Sequence, residues 1–306
     1  MKETLSKTIY FLLIIVALLG FINSLTALLL GFIFTLIFNN PFKRYSHKII
    51  HFLLKTSVIG LGFGMFIKET LRTGKEGFSL TVYSILLTVV LGLLLAKVLK
   101  LNLKLGHLIT SGTAICGGSA IAAISPVIKA NRKTISIALG IVFLLNSIAL
   151  FVFPAVGNFL NLTQEQFGLW CAVAIHDTSS VVGAALVYGD EALRIATTVK
   201  LSRTLWIIPL SLFSIFLFKT KGEQIKIPYF IVLFITAIII NSYHILPVLA
   251  TNFIVTVSKR LLIITLFLVG LTISIKDLKS TGMKPMVLAF ALWIFISIFS
   301  LVYILN

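Results

Sequence analysis

The sequence predicts an all-α polytopic membrane protein with about 9–11 transmembrane segments, two of them broken or re-entrant, and with inverted internal repeats. Of its 306 residues, 58% are hydrophobic and only 11% are charged, whereas soluble domains carry about 25% charged residues. The mean hydropathy is +1.10, and the apolar stretches are continuous rather than alternating, which disfavours a membrane β-barrel. This composition excludes a soluble globular enzyme, a disordered chain and a nucleic-acid-binding protein.

Nine apolar stretches are predicted to be complete spans: 8–20, 23–38, 49–67, 78–97, 134–154, 195–218, 228–247, 252–274 and 284–304. The first of them follows a charged start and resembles a signal peptide, but a second span follows at once without a cleavage site, so we expect it to be retained. The net charge of +17 comes mostly from Lys and Arg between spans, as the positive-inside rule requires.

Two internal similarities suggest that the chain is duplicated. Residues 53–74 and 261–282 share seven identical positions without a gap, including the pair Gly62 and Gly270. Residues 107–128 and 166–188 contain the related runs AICGGSAIAA and AIHDTSSVVG. We therefore predict a single transporter domain over 1–306 with repeat-related segments. Chance similarity of apolar helices and packing through small residues are the alternatives.

The segments 107–128 and 166–188 are rich in small polar residues, unlike plain lipid-facing helices. We predict that both are interrupted, near Gly117–Gly118 and near Asp177–Ser180, and that the interruptions lie close together near the middle of the membrane. Each segment either enters and leaves on one side, the two from opposite sides, or crosses fully as a broken helix. Irregular backbone at that depth must be buried in protein or line a cavity.

Asp177 is the one acidic residue placed deep inside an interrupted segment, and His176 precedes it. An ionisable group at membrane depth is costly and usually functional, so His176 and Asp177 are the predicted ion-coupling residues. The alternative is that Asp177 only caps a half-helix.

The predicted substrate-binding residues supply backbone N–H groups, hydroxyls and positive charge near the two interruptions. Glycine-rich backbone at a half-helix N-terminus favours an anion. Lys200 and Arg203 share one helix face and could face the same ligand, although snorkelling toward the membrane surface is the alternative. Lys55 and Asn146 are weaker candidates. The predicted set is Ser111, Thr113, Cys116, Gly117, Gly118, Ser119, Thr178, Ser179, Ser180, Lys200 and Arg203.

No enzymatic signature is present: the chain contains no nucleotide-binding motif, no HExxH and no serine-hydrolase elbow. The two cysteines, Cys116 and Cys171, are far apart in apolar surroundings and suggest neither a disulfide nor a metal site. We expect no catalytic residue, no metal and no cofactor.

Four stretches together resemble one known family. They are SGTAICGGSAIAAISPVIKA (111–130), AIHDTSSVVGAA (174–185), ATTVKLSRTLWIIPL (196–210) and the early GLGFGM (60–65). Over nearly the whole chain they are similar to the YeiH-like sulfate exporter family of bacterial inner-membrane proteins. The resemblance implies anion export and, through grouping with sodium/proton antiporters and bile-acid symporters, paired broken helices. Here one clear span separates the two broken segments, whereas that fold places them about half a chain apart.

The function predicted from these observations is secondary transport of a small anion such as sulfate, coupled to a proton or sodium gradient. A cation/proton exchanger that uses Asp177 is the second hypothesis, and a non-transporting membrane scaffold is the third. The expected location is the bacterial inner membrane, with the lipid bilayer as partner and without nucleic acid. The sequence leaves the oligomeric state open, a homo-oligomer included.

Overall fold

A computed structural model describes residues 2–22, 24–38, 40–220, 229–272 and 282–306. Within these ranges the chain is helical and no strand is present, so the predicted all-α membrane class is confirmed. The helices are α1 (Lys2–Leu19), α2 (Ser24–Phe38), α3 (Lys43–Leu61), a 3-10 turn (Gly62–Gly64), α4 (Ile67–Val98), α5 (Leu103–Ala114), α6 (Gly118–Val127), α7 (Arg132–Phe159), α8 (Gln164–Ala174), α9 (Thr178–Tyr188), α10 (Asp190–Thr204), α11 (Ile207–Phe218), α12 (Tyr229–Ser242), α13 (Val248–Gly270) and α14 (Met283–Leu305).

Five described helical segments are long and apolar enough to cross a membrane, and a sixth counts if the pair bent by 110° after Gly64 is one span. Several other predicted spans correspond to shorter apolar helices, among them the described parts of α1, α2 and α12. The long segments are Gly77–Val98, Lys133–Phe159, Asp190–Phe218, Val248–Gly270 and Met283–Leu305.

The chain divides into two compact units, each described here by itself. The first unit contains the described residues of Met1–Leu71 and Pro228–Ile273, and the second those of Arg72–Ile227 and Ser274–Asn306. All thirteen residues predicted for the site lie in the second unit.

In the first unit, α13 packs antiparallel to α3. The ring of Tyr10 contacts both Phe42, just before α3, and Phe267, near the end of α13, with centroids 5.0 and 5.8 Å away. At the other end of α3, Gly60 lies against Ser258, near the middle of α13. The two helices therefore run in opposite directions, as two inverted copies would.

Two helix crossings in the first unit depend on glycine. Gly270 of α13 lies against the backbone of α2 at Leu28, and Gly62 lies against the backbone of α12 at Phe234. Gly62 and Gly270 are the aligned glycines of the predicted repeat 53–74 and 261–282. Each of the two aligned glycines thus lies against the backbone of a neighbouring helix. Residues 273–281 of the second copy lie outside the described residues, so the duplication stays a prediction.

In the second unit, α5 and α6 form a helical hairpin, named here the first hairpin. Lys104 Nζ, at the start of α5, donates to the carbonyl of Lys129, just after α6, at 2.9 Å. Further along, Gly112 lies against Ile121. The two ends of the hairpin meet, and its tip is the non-helical turn 115–117.

The helices α8 and α9 form the second hairpin in the same way. Tyr188 Oη, at the end of α9, donates to the carbonyl of Leu162 at 2.6 Å. The side-chain oxygen of Gln164 accepts from the backbone N–H of Glu191 at 3.0 Å. The tip is the non-helical segment 175–177, at the positions aligned with 115–117 in the two related runs.

The two hairpins enter from opposite ends of α7. The first hairpin opens beside the start of α7, and Gly118 near its tip faces Leu139 and Phe143. The second opens near the end of α7, where Gly157 lies against Phe167 and Tyr188. Because α7 is long enough to cross the membrane, hairpins that enter from its opposite ends agree with the prediction that each segment enters and leaves on one side.

We predict that Gly270→Ala destabilises the protein, because the added Cβ would overlap the Leu28 carbonyl and push α13 off α2. Overpacking of this kind costs about 1–3 kcal/mol, which should lower the melting temperature in detergent. The matched control is Gly140→Ala in α7, where the new Cβ meets nothing within 4 Å and alanine adds up to ~1 kcal/mol of helix propensity. Equal melting temperatures for the two variants would contradict the close crossing.

Candidate functional site

The tips of the two hairpins meet inside the second unit. Gly117 has φ +60° and ψ −121°, a conformation that side chains other than glycine rarely adopt. A Cβ atom at this position would lie 3.3 Å from both N and Cα of Asp177. Glycine is therefore needed at the contact itself, and the two predicted interruptions form one site.

Two half-helices begin at this contact. The first-turn N–H groups of a helix lack intrahelical partners and form its positive end. The start of α6 at Gly117 has no side-chain cap. The start of α9 is capped by Asp177, whose carboxylate accepts from the backbone N–H of Ser179 at 3.0 Å and from the Ser179 hydroxyl. The capping role weighed for Asp177 in the sequence is thus present.

Two other half-helices, α5 and α8, end at the tips, and each end is bound by a buried cation from α10. Arg203 donates through Nη2 to the carbonyl of Ala114 at 2.6 Å. Lys200 donates to the carbonyls of Ala172 and Ile175, at 3.2 and 2.7 Å. Both cations are 0% exposed, so neither snorkels to the surface. They oppose the negative ends of α5 and α8.

Asn146 of α7 fixes the second tip, a stronger role than the sequence indicated. Its Oδ1 accepts from the backbone N–H groups of His176 and Asp177, both at 3.2 Å. Sequence reasoning missed Ser84 of α4, whose hydroxyl accepts from Arg203 Nη1 at 2.7 Å. A lone serine in an apolar span does not indicate a functional site from sequence, whereas an asparagine in such a span does.

The site has an accessible edge and a buried interior. At the edge, Ser119 is exposed, Gly118 and Ser179 are half-buried, and Asp177 retains 9% exposure. Behind them, His176 is fully buried. The remaining predicted binding residues are buried as well: Ser111, Thr113, Cys116, Gly117, Thr178, Ser180, Lys200 and Arg203. A ligand that enters from the edge would meet backbone N–H groups and hydroxyls first, with the cations behind them.

Several buried polar atoms in this interior have hydrogen-bonding capacity left over. Among the described residues, those without a partner include the hydroxyls of Ser111 and Thr113, Asn146 Nδ2, both ring nitrogens of His176 and Arg203 Nε. Buried polar groups normally find a partner in protein, water or ligand. No group of three or more His, Cys, Asp or Glu side chains in the described part of the chain could hold a metal ion.

Comparisons with known proteins place the chain among membrane proteins. The family model described as Conserved hypothetical protein 698 matches residues 5–289. A UPF0324 membrane protein of Bacteroides thetaiotaomicron is 48% identical over 281 residues, 91% of this chain and 85% of its own. One of Photobacterium profundum is 48% identical over 302 residues, covering 98% and 92%. One of Geobacter sulfurreducens is 43% identical over 286 residues, covering 92% and 90%. No solved structure matches the chain.

We predict that Gly117→Ala separates the two tips, because alanine disfavours the positive φ and its Cβ would press on the Asp177 backbone. Cys116, a free thiol that is fully buried at the first tip, should then react faster with a maleimide reagent, as followed by mass spectrometry. Cys171, buried in α8, is the internal control and should stay unreactive. Unchanged labelling of Cys116 would contradict a tight contact between the tips.

Proposed function

Since the chain belongs to the family described as Conserved hypothetical protein 698 and is similar over most of its length to UPF0324 membrane proteins, we propose that it is a secondary transporter of a small anion. A sulfate-like oxyanion is the proposed substrate, and an ion gradient drives its movement. The resemblance to the YeiH-like exporters suggests the same class. The bacterial inner membrane is the proposed location.

One observation carries the proposal: two half-helix N-termini meet at the hairpin tips, while buried cations oppose the two half-helix C-termini that end there. Without Lys200 and Arg203, the positive ends of α6 and α9 would be offset by the negative ends of α5 and α8. With both cations in place, the helix ends give a net positive field. A dianion in a membrane interior needs such compensation, because burial of an isolated charge is prohibitively costly.

The accessible edge supplies the hydrogen bonds that a dehydrated oxyanion requires. The uncapped N–H groups at the start of α6 and the hydroxyl of Ser119 are donors of the kind that bind phosphate and sulfate at helix N-termini. Lys200 and Arg203 contribute through their field, since their observed hydrogen bonds go to carbonyls and to Ser84. In this proposal they position the tips and set the charge.

Asp177 is the proposed coupling group, together with His176. It is the only acidic residue at either tip, and its carboxylate lies at the accessible edge beside the proposed anion site. A proton or cation bound there neutralises the repulsion between the carboxylate and an anion. Anion binding and cation binding would thereby favour each other, which is the requirement for coupled transport.

Cation/proton exchange is the second candidate, supported by the same single carboxylate at the tips. In that case Asp177 binds the transported ion, and Lys200 and Arg203 act only as structural cations. A proteoliposome flux assay with a panel of anions under set proton and sodium gradients separates the two functions. Absence of flux for every anion and cation would favour the scaffold hypothesis.

We predict that Asp177→Asn abolishes gradient-driven sulfate movement while sulfate binding and sulfate–sulfate exchange persist. Asparagine is a good N-cap, so α9 should keep its start, but the charge that couples to a cation is gone. Flux with and without a gradient and sulfate binding in detergent measure the difference. Cation exchange predicts the opposite pattern, with loss of all ion flux and no sulfate binding in either protein.

We predict that Arg203→Lys weakens sulfate binding, because lysine cannot hold both Ala114 and Ser84 in the geometry of the guanidinium fork. The loss should be about 1–3 kcal/mol, the size of one charge-assisted hydrogen bond. The control is Arg194→Lys on the same helix, where a half-exposed arginine faces Glu191 at 3.7 Å and little change is expected. Wild-type sulfate affinity in Arg203→Lys, or equal losses in Arg194→Lys and Arg203→Lys, would remove support for the site.

A further inference from the structure

A line of hydroxyls runs through the second unit from the tips toward the open end of the first hairpin. Helices α4 and α5 run antiparallel here: Arg203 bridges Ser84 to Ala114, and Gly92 lies against Thr110. Thr88 falls midway between Ser84 and Gly92 on the same face of α4. Its hydroxyl therefore lies along the stretch of α5 between Thr110 and Ala114.

Helix α11 borders the same stretch on another side. His107 Nε2 and Ser214 Oγ are 2.7 Å apart, while Arg203, just before α11, reaches Ala114. Ser211 is one turn from Ser214 on the side toward Arg203 and is fully buried. The spacing from His107 to Ala114 is about 10 Å along the helix.

The hydroxyls along this line lack partners, unlike most others in the unit. Serine and threonine in membrane helices usually donate to the carbonyl four residues back, as Ser125, Thr197 and Ser300 do. Four hydroxyls here do not, and all are 0% exposed and without a partner among the described residues. They are Thr88, Thr110, Ser111 and Ser211, named here the hydroxyl column.

The two ends of the column are a donor and an acceptor. Ser214 donates its hydroxyl hydrogen to the Leu210 carbonyl at 2.7 Å, so it must accept from His107, which places the ring hydrogen on Nε2. His107 Nδ1 is then a buried acceptor without a partner, and at the other end Arg203 Nε is a buried donor without one. Groups arranged in this way can each bind a bridging water.

We propose that the hydroxyl column is a water-filled path that carries protons between the hairpin tips and His107. An excess proton passes from one water or hydroxyl to the next by exchange of hydrogen bonds, and the imidazole takes it up on Nδ1 and returns it from Nδ1. The path itself does not depend on the proposed transport function, but its use to drive anion movement does.

The column suits protons and not an oxyanion. The flanking segments 77–96, 118–127 and 207–218 contain no charged residue. Charged groups lie at the ends: Arg203 at the tips, and at the open end Lys104, bound to the Lys129 carbonyl. Lys97 and Lys219 directly follow the segments 77–96 and 207–218 at that end. Around His107 itself, α11 contributes Ser214, Phe213 and Phe218.

Radiolytic hydroxyl labelling with mass spectrometry tests the water directly, because the radicals form at bound waters and modify adjacent side chains. We expect His107 to be labelled although it is 0% exposed, while Phe167, equally buried, stays unlabelled. The double variant Thr110→Val with Ser211→Ala removes two water partners and should abolish His107 labelling. An unlabelled His107 in the wild-type protein overturns the proposal.

Flux in proteoliposomes tests the proton. In the same double variant, sulfate accumulation driven by a pH gradient should fall by about tenfold, equivalent to about 1.4 kcal/mol, the size of one lost hydrogen bond. Sulfate–sulfate exchange without a gradient should be unchanged. Ser300→Ala, a buried serine bonded to its own helix, is the control and should alter neither rate.

The outcomes separate the two proposals. Wild-type gradient-driven accumulation in the double variant overturns the proton path even if the anion is transported. If the wild-type protein moves no anion, the proposed function fails, and the radiolytic labelling of His107 in the wild-type and double-variant proteins then decides the path alone. Equal labelling of His107 in the two proteins overturns it.

Discussion

The site depends on one interaction: two buried cations of α10 bind the carbonyl ends of two half-helices. Broken helices leave unpaired carbonyls and a negative dipole end in the membrane interior. Arg203 supplies the missing partner for α5, and Lys200 supplies it for α8. One helix thus stabilises both hairpin tips, and without it neither interruption would be tolerated at that depth. The cations that sequence reasoning assigned to substrate are first of all the groups that make the tips possible.

That arrangement also decides what the tips can bind. With the carbonyl ends occupied, the groups that remain available at the accessible edge are mostly donors: the N–H groups at the start of α6 and the hydroxyl of Ser119. Asp177 is the exception, since its carboxylate is used partly as a cap for α9. A positive field with a single titratable acid at its edge is a suitable basis for coupling an anion to a cation, because each ligand reduces the electrostatic cost of the other.

The surrounding helices show why so many small and polar residues occur in this chain. Glycine permits backbone contact at the crossings of the first unit, at Gly62 and Gly270, and at the meeting of the tips, at Gly117. Van der Waals packing of this kind is the main force between helices in lipid. Hydroxyls that do not bond their own helix are concentrated beside α5, which sets that face apart from ordinary packing surfaces.

The sequence by itself determined the membrane class, the two interrupted segments and the polar residues at their interruptions. Composition, glycine pairs and a lone acid in an apolar segment are local features, and they can be recognised without knowing which helix lies opposite. Only the tertiary structure decided that both segments are hairpins entering from opposite ends of α7, and that Lys200 and Arg203 face carbonyls. It also raised Asn146 to a central role and revealed Ser84 and the partnerless hydroxyls beside His107. These features depend on which helix faces pack together. The apolar pattern of one helix does not show which other helix it packs against, so the sequence could not predict them.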